Sequence, residues 1–289
     1  MTAPTDKQAE VAAEPTEVAA AQPGISVEQA EVAAEQPGVP VEQSEVPVER
    51  LARDHAYWAK PTPTLSVKDV PEGAINRNVE GRRAVSPIQG FGKMWQKTYR
   101  ISLEGSSAPA TEVIAEWKQN FPKFWPGKNF FYGPLTGIAP GEVALVNLTM
   151  PGRLKLSTGV LVVYADDESF TFMTPQGHML SGWITFSAYE KGSSTIAQAQ
   201  VLIRASDPMT ELGLTLGGYK KEDEFWCHTL RALAAHLGAR GEVEQDAVCV
   251  DKRRQWRNAR NLWQSATIRS GLYAAGTPFR ALRRRKPVG

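Results

Sequence analysis

Between residues 142 and 204 the chain runs through five strand-like segments, 142–149, 153–164, 169–174, 181–189 and 195–204. Most of the connections are as short as MPG, ADDE and EKGS, too short for crossover helices, so the strands are expected to pair as an antiparallel meander. A further strand precedes them. Across 95–103, Trp95, Lys97, Tyr99, Ile101 and Leu103 alternate with Gln96, Thr98, Arg100 and Ser102, a period that gives one mostly apolar face. The 153–164 stretch alternates through Leu154, Leu156 and Thr158 and is continuously apolar from Val160 to Val163, which marks a central strand, with Gly159 at a bulge or bend.

The sheet needs a cover, and the sequence supplies one. Leu212, Tyr219, Trp226, Leu230, Leu233 and Leu237 share a narrow arc at about 100° per residue, and Gly238 is a natural end. Gly217 and Gly218 lie inside this pattern and are expected to bend or split the helix. A shorter helix is expected around Val113, Ile114 and Trp117, after Pro109 and before Pro122. Between 121 and 142 the irregular chain carries Phe121, Phe124, Trp125, Phe130, Phe131 and Tyr132. They either cover the mouth of a cavity or form a second small core under the sheet, and the second is the expectation. The fold class is therefore α+β, a curved antiparallel sheet wrapped around a long C-terminal helix, with extended tails.

A core of roughly 144 residues buries about two thirds of its unfolded surface without staples. The two cysteines, Cys227 and Cys249, offer no disulfide framework, which suits a reducing compartment. Neither a basic leader followed by an apolar run nor a stretch of about 20 apolar residues occurs. The expectation is a cytoplasmic location, either free or peripheral to a membrane.

The two ends carry opposite charge. Residues 1–50 hold two basic and ten acidic residues, a net of −8, whereas 251–289 hold eleven basic and one acidic, a net of +10. The first fifty contain a repeat of fourteen, EVAAAQPGISVEQA from Glu17, EVAAEQPGVPVEQS from Glu31 and a truncated EVPVE from Glu45. Without aromatics it builds no core, so 1–50 reads as an acidic, repetitive, disordered arm, serving either as a spacer or as a multivalent motif. Residues 51–94 read as a linker with a short anchoring helix around Leu51, Tyr57 and Trp58, and 95–238 as the folded domain.

Residues 239–289 read as a basic amphipathic helical tail. Drawn as an α-helix from Asp251, it places Trp256, Ala259, Leu262, Trp263 and Ala266 on one arc and Arg253, Arg254, Arg257 and Arg260 on the opposite one. Trp256, Arg257, Arg260 and Trp263 are thus candidate partner-binding residues. Three occupants compete: the chain's own domain or a second copy, giving an oligomer; an anionic membrane surface; and, last for want of a reading motif, nucleic-acid phosphates.

The order strand, short helix, meander, long helix resembles the helix-grip fold of the START-like superfamily, which includes lipid-transfer, plant allergen and polyketide cyclase-like proteins. The wording of 160–186, VLVVYADDESFTFMTPQGHMLSGWITF, and of 203–233, containing DPMTELGLTLGGYKKEDEFWCHTLRAL, is similar to a little-characterised polyketide cyclase-like branch. The resemblance covers 95–238. It implies an apolar ligand between sheet and helix, with members that differ between transport, catalysis, sensing and none of these.

Four residues are candidates for such a ligand site. His178, flanked by Gly177 in PQGHMLSGW, either reaches a ligand as donor or base or fixes a turn. Arg204 ends the last strand of the meander and Glu222 flanks the apolar stripe of the long helix, so they either pair at a cavity or form a peripheral salt bridge. Trp226 reads as core or as cavity wall. No metal is expected, since His55, His178, His228 and His236 share no ligand motif, and no cofactor, since Walker loop, GxGxxG and nucleophile elbow are absent. The leading expectation is noncatalytic binding of a hydrophobic small molecule or lipid. The alternatives are an assembly protein without ligand and a cyclase-like enzyme using His178.

Overall fold

The computed structural model describes residues 55–150 and 155–275. The expectations for the acidic arm, for 51–54, for Leu154 and for 276–289 of the basic tail lie outside the described residues. The first strand, β1 (Met94–Ser102), is followed by α1 (Ala110–Asn120) and a 3-10 turn (Phe121–Phe124). Then come β2 (Phe130–Tyr132), β3 (Val143–Thr149), β4 (Lys155–Ala165), β5 (Ser169–Met173), β6 (Leu180–Lys191) and β7 (Ser194–Ala205). The remaining elements are α2 (Pro208–Gly213), a π turn (Leu214–Gly218), α3 (Tyr219–His236), β8 (Val243–Asp251), a 3-10 helix (Trp256–Gln264) and α4 (Ala266–Ala275).

The strands form one antiparallel sheet in the order β2-β3-β4-β5-β6-β7-β1-β8. Connections of two to six residues join β4 through β7, which is why those strands are sequential neighbours. The inner face of the sheet closes on α1 and α3 in a single core that includes Tyr99, Ile101, Trp117, Phe170, Phe186, Leu230 and Leu233. This is the α+β helix-grip architecture.

The outer face is covered only locally. Leu65 and Val79 pack on Leu145 of β3 and Leu161 of β4, so β4 is buried on both sides. That double burial accounts for its continuous apolar run. The segment 55–85 is tied down through Ala59, whose N–H donates to Val163, and through Leu65, which exchanges bonds with Arg82 and Gly81.

Several sequence expectations need correction. The irregularity of β4 lies between Val162 and Tyr164, where the register to β5 shifts, not at Gly159. Phe121, Phe124 and Phe131 join the main core and do not make a second one. The long helix is split, as its glycine pair led one to expect, because Gly217 at φ +115° takes a backbone conformation that other residues rarely adopt. The split turns Leu212 away from the arc, leaving it 60% exposed. Finally, the stretch read as a helical tail begins with a strand: β8 pairs with β1 along its length, consistent with the β-branched Val243, Val248 and Val250.

Candidate functional site

Two places bring chemistry-bearing residues together: the inner face near β1 and α3, and the outer segment after β8. On the inner face, Lys97 points the same way as Tyr99 and Ile101 and is 3% exposed. A buried ammonium needs partners. Its Nζ lies 2.6 Å from Glu222 Oε2 and 2.6 Å from Asp223 Oδ1, both supplied by the first turns of α3. Tyr99 Oη donates to the same Asp223 oxygen at 2.7 Å. The ring of Tyr219 sits 5.0 Å from Lys97 Nζ, and its hydroxyl donates to Glu211 at 3.2 Å.

The balance within this cluster is uneven. Burial pushes the Glu222 carboxyl above the usual carboxylate range even though Lys97 pulls the other way. Its Oε1 is buried and reaches no partner at good hydrogen-bond geometry, the Trp226 indole being near enough only to favour the charged form weakly. Burial, reinforced by Glu222 and Asp223, drives the Tyr99 hydroxyl up as well, so it remains a donor. The cluster therefore holds a lysine and a phenol as donors, one shared carboxylate and one carboxyl whose charge is opposed by burial. Sequence reasoning missed Lys97, Tyr99 and Asp223, although a lysine among Trp95, Tyr99 and Ile101 on an inward face was itself the signal.

Beside this cluster the space between sheet and α3 is occupied. Among the described residues, nine aromatic rings, running from Trp117 and Phe121 to Phe225 and Trp226, connect through centroid distances of 4.8–6.1 Å. Phe186 alone lies within 5.7 Å of five of them and is fully buried. An open hollow of about 450 Å³ lies elsewhere, lined by Glu112, Glu116 and His236 and by none of these rings.

The sequence-predicted ligand residues do not converge. His178 is buried in the turn before β6, its N–H donating to Pro175 and its Nδ1 3.0 Å from both the amide and the carbonyl of Leu180. Burial pushes its imidazole down to about 4, against the opposing hydrogen bond to Leu180. Neither Arg204 nor Glu222 is among its hydrogen-bond partners. Arg204 and Glu222 do not pair with each other either. Arg204, 2% exposed, donates to Gly92 O at 2.6 Å, to Arg253 O at 2.9 Å and to Asp251 at 2.5 Å. It is the clamp that ties the end of β8 to the end of β7 across the start of β1. Hydrogen bonds from Arg253 and Arg204 keep the Asp251 carboxyl far below the usual carboxylate range. Trp226 lies at the edge of the ring cluster, 5.5 Å from Phe186 and 4.9 Å from Phe225.

The outer segment departs from its predicted α-helical wheel. Trp256–Gln264 is wound as a 3-10 helix, with three residues per turn, so residues i and i+3 eclipse. Asn258, Asn261 and Gln264 then form the inward stripe. Asn258 donates to Ile88 O and Gly90 O, and Asn261 to Gln89 O and Ser206 O, at 2.8–3.1 Å. Past the helix, Ala266 N donates to Gly177 O at 2.8 Å. A side chain at Gly177 would meet the Gln264 carbonyl at 2.3 Å, so that approach requires glycine. The segment thus docks through its asparagines. Its tryptophans stay outside, Trp256 73% and Trp263 84% exposed, with Trp256 touching only the Phe91 ring at 5.2 Å among its ring contacts.

Fold and interior together define an α+β helix-grip protein with a ring-filled core and a buried ionic cluster on its inner face. No family model matches the chain, and no curated protein matches it. Solved structures are similar to about half of it. A START superfamily protein from Mycobacterium smegmatis is 18% identical, covering 51% of this chain and 98% of its own, at a TM-score of 0.33. The ginseng (Panax ginseng) major latex-like protein 151 is 16% identical, covering 50% and 98%, at 0.35. The di-domain ARO/CYC StfQ from the steffimycin biosynthetic pathway is 11% identical, covering 50% and 51%, at 0.38. Among the described residues no helix is long and apolar enough to cross a membrane, and no group of three or more His, Cys, Asp or Glu is placed to hold a metal.

Proposed function

We propose that the chain is a noncatalytic helix-grip module whose interior is closed by its own side chains and whose partners are met on its outer surface. The observation that carries this reading is the ring cluster. Trp117, Phe121, Phe170 and Phe186 have no exposure at all, and they occupy the volume in which a grip would hold a guest. Interiors packed this closely admit a guest only by displacing side chains, which costs the contacts those side chains make.

A second reading, an apolar small molecule or lipid held between sheet and α3, is favoured by a different observation. An aromatic wall ends in a few convergent polar groups, and Glu222 Oε1 has no partner at good hydrogen-bond geometry beyond the nearby Trp226 indole. Phe225 and Trp226, which are only half-buried, are the side chains that would have to turn. Acid–base turnover by His178 has less support, since its Nδ1 is engaged by Leu180 and no carboxylate is hydrogen-bonded to it.

Native mass spectrometry of the full chain from its own host, followed by organic extraction, tests the proposal. The expected result is the bare polypeptide with nothing bound. A stoichiometric apolar molecule, lost in the Glu222→Gln or Trp226→Ala variant, would overturn it in favour of the second reading. The same spectrum reports whether the partner includes a second copy of this chain.

A further inference from the structure

The 3-10 winding gives the outer segment a surface that an α-helix would not. Three stripes run along Trp256–Gln264. Asn258, Asn261 and Gln264 face the domain, and Trp256, Ala259 and Leu262 lie to the side. Arg257, Arg260 and Trp263 face out, and all three are exposed. Guanidinium groups and an indole therefore project from one ridge, and the inward asparagines fix that ridge to the domain.

The charge on the ridge's own segment has one sign. Residues 252–275 contain Lys252, Arg253, Arg254, Arg257, Arg260 and Arg269 and no acidic residue. Arg253 is engaged by Asp251 and Arg254 by Glu211, at 3.1 and 3.4 Å. Arg257, Arg260 and Arg269 have no carboxylate within ion-pair distance among the described residues. Apolar side chains flank the cations. Ile88, whose carbonyl Asn258 holds, is 64% exposed, and Met209 and Leu212 on α2, whose Glu211 takes Arg254, are 43% and 60% exposed.

We propose that this ridge is a docking surface for an anionic lipid bilayer, with Arg257 and Arg260 on headgroup phosphates and Trp263 and Trp256 in the interfacial layer. Tryptophan prefers that layer because its ring is apolar and its N–H polar, and basic residues add attraction to anionic headgroups. The exposed aliphatic side chains decide against nucleic acid, since a phosphate backbone offers Ile88, Met209 and Leu212 nothing, whereas the bilayer interface takes them out of water. The inference rests on the reading that the working surface is the outside. The mass spectrum above tests that reading separately, because a chain carrying an apolar molecule would still either bind vesicles or not.

The test is flotation of the full chain with vesicles of two parts phosphatidylcholine to one part phosphatidylserine, against pure phosphatidylcholine and against a double-stranded DNA oligomer. The expected result is binding to the anionic vesicles that weakens with salt and far exceeds binding to the neutral ones. Arg257→Glu/Arg260→Glu should lower the partition coefficient by at least tenfold, given about fivefold per basic charge removed. Trp256→Ala/Trp263→Ala should lower it too, and quenching of tryptophan fluorescence by brominated lipid should fall in that variant. Circular dichroism melts confirm that both variants stay folded. Equal binding to neutral vesicles, binding unchanged in both variants, no vesicle binding, or preference for the DNA would each overturn the proposal.

Discussion

The rings inside the grip and the rings on the outer segment are the same residue types used in opposite ways. Phe186 is fully buried and touches five other rings, whereas Trp263 is 84% exposed and makes no ring contact within the described residues. Each buried ring adds dispersion and removes apolar area from water, and edge-to-face geometry adds about 1 kcal/mol per pair. An exposed tryptophan contributes almost nothing to folding. The difference separates two uses of the same rings: the interior commits them to stability, and the ridge leaves them uncommitted to the fold.

The largest effect is expected inside. Phe186→Ala removes the ring at the centre of the cluster and should cost about 4 kcal/mol, read from the urea midpoint at constant slope. A cost below about 1 kcal/mol would mean the surrounding rings are mobile enough to refill the space. That would turn the closed interior into one that opens for a guest.

Lys97→Met comes next. It leaves Glu222 and Asp223 facing each other in a buried site and should cost about 3 kcal/mol. Adding Glu222→Gln should recover part of that loss, because the double variant no longer buries an unpaired carboxyl. Strict additivity would show that the cluster is looser in solution than its 2.6 Å contacts imply.

A titration extends the comparison to a buried polar group. His178 has its folded pKa depressed to about 4 by burial. The unfolded chain takes up the proton first, at about 6.5, so stability is full above that value and falls as the pH drops toward 4. Relative to His178→Gln, the natural chain should lose about 2 kcal/mol between pH 7 and pH 5. The raised Glu222 works in the opposite sense, since protonation suits its folded state, and the His178→Gln reference cancels that contribution. Parallel stability curves for the two chains would show the imidazole accessible to solvent.

Much of this was legible in the sequence. The six predicted strand segments coincide with β1 and β3–β7 within a residue or two, because alternation and short turns are local properties. The glycine pair that splits the helix was also readable, since a positive φ has few other occupants. What was hidden depended on distant partners. β8 is a strand because the edge of β1 is free to accept it, and its own sequence, VEQDAVCVD, carries little apolar alternation. Arg204 pairs with Asp251 across 47 residues of chain, so its partner could not be read from local spacing. The ridge was obscured for a third reason: the same residues give different faces at 3.6 and at 3.0 residues per turn. Only the carbonyls of Ile88, Gln89, Gly90 and Ser206, waiting for asparagines three residues apart, select the second.

The smallest expected effect tests that last point. On an α-helical wheel Trp263 would share the side of Trp256, near Phe91, and its loss would cost packing. On the 3-10 ridge it stands beside Arg257 and Arg260, and Trp263→Ala should change stability by less than about 0.5 kcal/mol. Asn261→Ala, by contrast, removes donors to two carbonyls and should cost about 1 kcal/mol. If chemical denaturation showed the order reversed, the indole would be packed in solution and the asparagine dispensable. The segment would then be turned on its axis, and the outward stripe with its lipid assignment would go with it.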